Sequence, residues 1–187
     1  MTRIGLKPIS LPSGVELVFG EDVIVVKGPK GEVSVHVPAG VSVEVKDGAA
    51  HVKTNAVNEA EAEALAAVHG TTAALLHAAV HGVTEGWKKE LEVNGTGYRA
   101  SMKGNKVTMF LGYSHQVEVE PVGKYTKISC PDETHIVVEG CSKEDVGQTA
   151  ALIYNKHKPD VYGQKGVHYN GQQLIKQVGK RAAGGKK

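Results

Sequence analysis

The chain has 187 residues, 41% of them hydrophobic and 5% aromatic, which suffices for one medium core or two small ones. Its formal net charge is only +2, and it contains neither the ~18 consecutive apolar residues of a membrane helix nor a secretory leader pattern, so we expect a cytoplasmic protein that does not associate with membranes. The two cysteines, Cys130 and Cys141, lack C-x-x-C spacing, which argues against a disulfide scaffold and indicates reduced thiols.

The first half of the chain begins with strands and continues with a helix. The run from Val23 to Val26 leads into a Gly-Pro-Lys-Gly turn at residues 28–31, and valines then alternate at two-residue spacing, which is typical of strands. The alternating residues are Val33, Val35, Val37, Val41, Val43 and Val45. Asn58 and Glu61 have the spacing of a capping pair, and the helical periodicity that follows predicts one helix as far as Gly82.

The second half repeats this pattern. Val107, Met109 and Leu111 follow the alternation of the first valine group at a constant offset, and Val117 and Val119 match Val43 and Val45 at the same offset. Beyond them, His135 stands where His51 stood, and Ser142 with Asp145 repeats the capping pair, at an offset ten residues larger. This places a ten-residue insertion between Val119 and His135, around Tyr125 and Cys130. Pro159 is expected to end the second helix soon after Tyr154.

The repeat predicts an α+β protein made of two duplicated small domains, each a mostly antiparallel β-sheet with one helix packed on it, followed by a basic tail. The predicted limits are residues 1–82 for the first domain, 83–170 for the second and 171–187 for the tail, which we expect to be partly disordered when free.

Candidate catalytic and ligand motifs do not withstand inspection. The run from Gly95 to Ala100 fits a G-x-G-x-x-G/A pattern, but a turn and another strand follow where a dinucleotide site requires a helix, so a bend or bulge is the better interpretation. His77 and His81 have the spacing of a metal pair but no third ligand nearby, and surface positions on the helix are favoured. The adjacent Ser114 and His115 would point to opposite faces of a strand. We therefore predict no enzyme, metal or cofactor.

The C-terminal end carries the clearest functional signal. Residues 156–187 hold eight lysines and arginines against one aspartate, a net of +7, so the other 155 residues sum to −5. A cationic end indicates an anionic partner. The last residues, 180–187, are typical of a solvated tail, whereas the Tyr- and Gly-containing stretch from Lys158 to Tyr169 is typical of an ordered nucleic-acid-binding segment. Weaker cationic candidates are Arg3, Lys7, Lys27, Lys30, Lys88, Lys89, Arg99, Lys103 and Lys106.

Five motifs then resemble a known family. They are Met1-Thr-Arg-Ile-Gly-Leu-Lys-Pro-Ile9, Lys27-Gly-Pro-Lys-Gly31, Gly97-Tyr-Arg-Ala100, Leu111-Gly-Tyr-Ser-His115 and Pro159-Asp-Val-Tyr-Gly-Gln-Lys-Gly-Val-His-Tyr169. In this order they resemble the bacterial form of large-subunit ribosomal protein six. The resemblance implies two duplicated domains and binding of large-subunit ribosomal RNA, mainly through the second domain and the C-terminal segment. It also implies a position at the stalk base near the sarcin-ricin loop, beside other ribosomal proteins and translational GTPases.

The sequence departs from the family pattern in the loop expected to bind RNA. The family usually has Pro at Gln116 and Val161, Arg at His168, and Tyr-Lys-Gly-Lys-Gly where this chain has Tyr-Gly-Gln-Lys-Gly at residues 162–166. Two cations are therefore missing or weakened, and His168 is expected to contribute only a weak contact. The candidate RNA-binding residues, from charge pattern and resemblance together, are Lys156, Lys158, Tyr162, Gly163, Lys165, Gly166, His168, Tyr169, Lys176, Lys180, Arg181 and Arg99.

The predicted function is that of a structural, RNA-binding component of the large ribosomal subunit that supports assembly and translation. An alternative from another class is a tandem protein-interaction module whose sheets add partner strands and whose tail only improves solubility. The acidic balance of residues 1–155 favours that alternative for the first domain.

Overall fold

A computed structural model describes residues 3–46, 48–55 and 59–177. The predicted helix cap at Asn58 and the candidate residues Lys180 and Arg181 lie outside the described residues. The chain divides into two compact units, Met1–Trp87 with Gly140–Lys143, and Lys88–Glu139 with Glu144–Lys187. The domain limits predicted from the sequence remain a prediction. None of the helices in the described ranges is long and apolar enough to cross a membrane.

The first unit contains two small antiparallel sheets and a helical segment. Its elements are β1 (Ile9–Ser10), β2 (Glu16–Phe19), β3 (Val23–Gly28), β4 (Gly31–His36), β5 (Val41–Lys46), β6 (Ala49–Thr54), α1 (Glu59–Ala64) and α2 (Ala66–Thr84). The strand orders are β2-β3-β4 and β1-β6-β5. Ile24, Val26 and Val35 are buried on the sheet face against which α2 packs, as the valine alternation predicts.

The predicted single helix is divided at Leu65. Leu65 has a φ of −80° and a ψ of −7°, so it opens the turn between α1 and α2. The helical hydrogen bonds nevertheless continue, since Leu65 N–H donates to Glu61 at 2.9 Å and His69 N–H donates to Leu65 at 2.8 Å. The buried His69 ring also donates from Nε2 to the Val52 carbonyl at 3.0 Å, which fixes the first turn of α2 on β6. A periodicity argument cannot detect a break that preserves the apolar face.

The second unit repeats the architecture. Its elements are β7 (Trp87–Asn94), β8 (Arg99–Lys103), β9 (Lys106–Phe110), β10 (Val117–Val119), β11 (Lys127–Asp132), β12 (His135–Gly140), α3 (Lys143–Lys156) and β13 (Gly166–Tyr169). The strand orders are β10-β9-β8 and β11-β12-β7-β13. Val146, Ala150 and Ile153 are buried on one face of α3. The α3 helix begins directly after Ser142 and ends before Pro159, as predicted, and the α+β fold with a repeated domain is confirmed.

One part of the predicted repeat is wrong. Val117 and Val119 were matched to Val43 and Val45, but β10 pairs with β9, whereas β5 pairs with β6. The counterpart of β5 is β11, which pairs with β12 and contains Cys130. The match of β9 to β4 is wrong as well, because β9 is the middle strand of β10-β9-β8 and corresponds to β3 of β2-β3-β4, while β10 corresponds to β4. The two units therefore match strand for strand from β3 to β6 (residues 23–54) and from β9 to β12 (residues 106–140), and the predicted ten-residue insertion is not present. Alternating valines mark any half-buried strand and carry no information about which strand lies beside it.

Candidate nucleic-acid interface

The Gly95–Gly97 turn joins β7 to β8 and holds the ring of Tyr98. The φ angles of Gly95 and Gly97 are +151° and +78°, and Tyr98 N–H donates to the Gly95 carbonyl at 3.1 Å. A Cβ on Gly95 would lie 2.7 Å from the Tyr98 ring, so the glycine makes room for it. No helix starts here, which confirms that the glycine pattern forms a bend between strands and not a dinucleotide site.

The loop between β9 and β10 approaches the same ring. A Cβ on Gly112 would lie 3.0 Å from Tyr98 Oη. The neighbouring Tyr113 is 48% exposed and its hydroxyl donates to the Lys156 carbonyl in the last turn of α3 at 3.0 Å. His115 stacks on Tyr113 with ring centroids 5.9 Å apart. This loop therefore connects to the end of α3 through a tyrosine.

His157, the residue after α3, completes an aromatic cluster that we define as Tyr98, Tyr113, His115 and His157. Tyr98 Oη lies 3.4 Å from His157 Nε2, and the centroids of both rings are 5.4 Å apart. The Tyr113 ring lies at the same centroid distance from His157. Three segments that are separate in sequence thus meet beside Lys156 and Lys158. The four residues belong to or adjoin motifs recognised in the sequence, but sequence reasoning did not select any of them as site residues.

The loop from Asp160 to Lys165 is closed by its own hydrogen bonds. The Asp160 carboxylate accepts from Gly163 N–H at 2.9 Å, and the Asp160 carbonyl accepts from Gln164 N–H at 2.8 Å. Asp160 N–H in turn donates to the Lys165 carbonyl at 2.9 Å. Tyr162, at 56% exposure, and Lys165 project from this ordered loop. The prediction that this segment is ordered agrees with these bonds, and its role in binding stays a prediction.

Gly166 anchors the loop on the sheet. It is buried, its φ is +142°, and a Cβ would lie 2.8 Å from the Lys158 carbonyl oxygen and from the Pro159 Cα. Val167 N–H donates to the His157 carbonyl at 2.9 Å, and β13 then pairs with β7 from Gly166 opposite Asn94 to Tyr169 opposite Leu91. Gly166 therefore permits the chain to approach itself closely, and it faces protein in the described structure.

His168 and Tyr169 are engaged within the protein. His168 Nε2 lies 3.3 Å from a Glu92 carboxylate oxygen, and its side chain is only 13% exposed. The Tyr169 ring stacks on Tyr154 with centroids 5.3 Å apart, and the Lys89 ammonium lies 5.9 Å from the ring centroid. Burial, with a smaller effect of Tyr154, raises the pKa of Tyr169 above its usual range. Both side chains hold β13 in place more than they present a free surface.

The predicted cations differ in how far they are already paired. Lys88 and Lys106 form ion pairs with Glu90 and Glu120, which raise the pKa of both lysines. Arg99 is exposed and its guanidinium lies 4.6 Å from the Phe110 ring centroid. Four exposed lysines near the aromatic cluster or after β13 form no ion pair with another described residue. These are Lys156, Lys158, Lys165 and Lys176.

Comparison with known proteins gives the same duplicated organisation. The family model for ribosomal protein L6 matches residues 11–86 and again residues 94–170, one match for each repeat. The chain belongs to the ribosomal protein L6 family. It is 45% identical to the large ribosomal subunit protein uL6 of Acidobacterium capsulatum over 96% of this chain and 98% of that protein. The corresponding proteins of Koribacter versatilis and Rubrobacter xylanophilus are 43% and 42% identical, over 98% and 96% of this chain and 99% of each relative.

Membership of the ribosomal protein L6 family confirms the predicted class. The chain is a structural component of the large ribosomal subunit in the cytoplasm, and it is not an enzyme. Within the described ranges, no group of three or more histidine, cysteine, aspartate or glutamate side chains could hold a metal ion. His77 is exposed on α2, while His81 stacks on Trp87 with ring centroids 4.6 Å apart, so the two act as ordinary helix residues.

Proposed function

We propose that the second unit binds large-subunit ribosomal RNA through a surface formed by the end of α3, the loop from Lys158 to Lys165, and the aromatic cluster. The observation that supports this most directly is the convergence of exposed tyrosine rings with exposed lysines that form no ion pair with another described residue, all on one ordered set of loops. Lysines neutralise phosphates, and tyrosine rings stack on unpaired bases or pack on sugars.

The end of α3 is prepared for an anionic ligand by capping of its carbonyl groups. A helix C-terminus carries a partial negative charge that repels phosphate. The Lys156 carbonyl accepts from the Tyr113 hydroxyl and the His157 carbonyl accepts from Val167 N–H, at 3.0 and 2.9 Å. These two bonds satisfy carbonyls that would otherwise face the ligand, and the ammonium groups of Lys156 and Lys158 then dominate the local potential.

The candidate residues divide into two roles under this proposal. Lys156, Lys158, Lys165 and Tyr162 contact RNA, with Lys176 and Arg99 as outer contacts. Gly163 lies at the tip of the loop, while Gly166, His168 and Tyr169 position β13 and hence the loop. Lys180 and Arg181 are proposed to add affinity from the tail, through charge alone.

From the resemblance to the bacterial family we further propose that the chain lies at the stalk base, near the sarcin-ricin loop. Other ribosomal proteins and translational GTPases would then be its neighbours. Chemical footprinting of large subunits with and without the chain tests this position: protection of the sarcin-ricin region supports it, and protection only in distant RNA contradicts it.

RNA binding is tested by the salt dependence of affinity. If about six phosphates are neutralised, log affinity falls with log salt at a slope of about −4 to −5. Replacing Lys158 and Lys165 with glutamine should make the slope shallower by about 1.5, since each phosphate contact contributes ~0.7–0.9. The control is the same charge change in the first unit, Lys7→Gln with Lys27→Gln. Both double variants are measured by filter binding of the full chain to large-subunit ribosomal RNA. Equal effects of the two double variants would place the RNA surface elsewhere.

A further inference from the structure

The first unit exposes an unpaired strand edge at β2. Among the described residues, β2 pairs only with β3, from Glu16 opposite Lys27 to Phe19 opposite Ile24. Gly20 N–H donates to the Val23 carbonyl at 2.9 Å and closes the three-residue connection between these strands. Hydrogen-bonded pairs alternate along an antiparallel ladder, so the amides of Leu17 and Phe19 point away from β3. They are available to another strand.

Apart from its length of four residues, the β2 edge lacks the features that usually protect such edges. Proteins block exposed edges with lysine, proline, bulges or very short strands. The β2 sequence is Glu-Leu-Val-Phe, and its register with β3 is unbroken. The other sheet of the first unit offers a contrast, because its edge strand β5 ends in Lys46, which forms an ion pair with Glu44 at 2.8 Å. Of these two edges, the β2 edge is the one suited to strand addition, while β4, at the other edge of the β2-β3-β4 sheet, is in contact with α2.

Apolar side chains accompany this edge. Phe19 is 50% exposed, Val18 45% and Val23 38%. Val18 lies opposite Val25, and Val23 lies two residues before Val25, so these three valines share the sheet face that does not carry Ile24 and Val26. An added strand would remove Val18 and Phe19 from water, one on each face of the sheet.

The charge around the edge selects the chemistry of the partner. No lysine or arginine occurs between Lys7 and Lys27, while Glu16, Glu21 and Asp22 are all exposed. This region repels a phosphate backbone, and a second copy of the chain would bring the same acidic residues together. It attracts a cationic polypeptide.

We propose that the β2 edge binds a cationic, extended segment of another protein of the large subunit as an added strand. Backbone hydrogen bonds to Leu17 and Phe19 would hold the segment, apolar side chains would cover Val18 and Phe19, and lysines or arginines would pair with Glu16, Glu21 and Asp22. This surface is separate in sequence and opposite in charge from the residues proposed to bind RNA.

Site-specific photo-crosslinking in assembled large subunits tests the proposal. A photoreactive residue is placed at Val18 or, as a matched control, at Val45, which is 46% exposed on the edge strand β5. Crosslinked peptides are identified by mass spectrometry. We expect a severalfold higher yield from position 18, to a peptide of another protein with net positive charge. Crosslinks mainly to RNA or to a second copy of this chain, an acidic partner peptide, or equal yields at the two positions would overturn the proposal.

Two further measurements separate strand addition from mere proximity. Amide hydrogen exchange over residues 15–20 should slow on assembly, because the outward amides gain partners; unchanged exchange would exclude an added strand. The double variant Glu21→Lys with Asp22→Lys alters only an exposed turn and should lower the position-18 crosslink yield severalfold. An unchanged yield would remove charge pairing from the proposal and so overturn it.

Discussion

The resemblance to the bacterial family implies a lysine at the position of Gly163, and the structure allows a lysine to be introduced there. The φ of Gly163 is outside the left-handed region, and the nearest atoms to an added Cβ are Asp160 Oδ2 at 3.5 Å and Lys165 Cγ at 3.6 Å, which is ordinary contact. The substitution Gly163→Lys also retains the N–H that donates to the Asp160 carboxylate. The loop should therefore keep its conformation and gain one exposed charge.

The size of the effect follows from counterion release. One added phosphate contact makes the log–log salt slope steeper by ~0.7–0.9, so the affinity gain of the variant over the original chain shrinks by about threefold between 50 and 200 mM salt. Filter binding of the full chain to large-subunit ribosomal RNA across this range measures both slopes. The gain should be largest at low salt.

Two controls isolate the charge at this position. Gly163→Gln adds a neutral side chain of similar shape and should leave the slope unchanged. Gly147→Lys adds the same charge on α3, where an added Cβ meets nothing within 4 Å. If Gly163→Lys has the same slope as Gly163→Gln, or if Gly147→Lys steepens the slope as much, the loop from Lys158 to Lys165 is not a phosphate-contacting surface.

Three further predictions concern the support of this loop. Gly166→Ala should lower the free energy of unfolding by about 2–4 kcal/mol, because Gly166 has a positive φ and an added Cβ would lie 2.8 Å from backbone atoms. Gly171→Ala should lower it by only about 1 kcal/mol, because Gly171 has a φ of +76° but open space around an added Cβ. Equal losses of the two variants in chemical denaturation would contradict the packing argument. Gln164→Gly should raise the free energy of unfolding by up to about 1 kcal/mol, because glycine adopts the φ of +56° without strain. The variant also loses the hydrogen bond from the Gln164 side-chain amide to the Leu174 carbonyl at 3.3 Å, and Gln164→Ala, which loses the same bond and keeps the strain, should give no gain. Because the pKa of Tyr169 is raised in the folded state, its contribution to stability is complete below the unfolded pKa of ~10 and is lost as pH rises through the folded value. Tyr169→Phe should lose less stability than the original chain between neutral and strongly alkaline pH, and parallel curves would show that this ring is not responsible.

The duplicated fold could be predicted from the sequence because its signals are local. Valine alternation specifies strands and which face is buried, and helix caps and a proline specify where α3 begins and ends. The neighbour of β10 is not specified locally, since its valines fit either sheet. The break at Leu65 also escaped prediction, because helical hydrogen bonds and apolar spacing both continue through it.

The candidate site was predictable only in part, for a similar reason. Charge density identified the stretch from Lys156 to Lys176, and its four lysines are exposed, while their binding of RNA stays a prediction. The aromatic cluster depends on contacts over long sequence separations, such as Tyr98 with His157, and no spacing rule reveals those. Gly166 was selected as an RNA-binding residue from the resemblance, but its close approach in the described structure is to Lys158 and Pro159 of its own chain.

The two units share a fold, and their difference lies at the edges of their sheets. In the second unit β13 covers the edge of β7, and the same segment carries the loop with its unpaired lysines, so closing an edge and creating a cationic surface are one structural change. The corresponding sheet of the first unit ends in β1, only two residues long, and its other sheet leaves β2 uncovered beside acidic residues. The strand β13 therefore distinguishes the second unit, for which we propose RNA binding, from the first unit, for which we propose binding of a cationic protein segment.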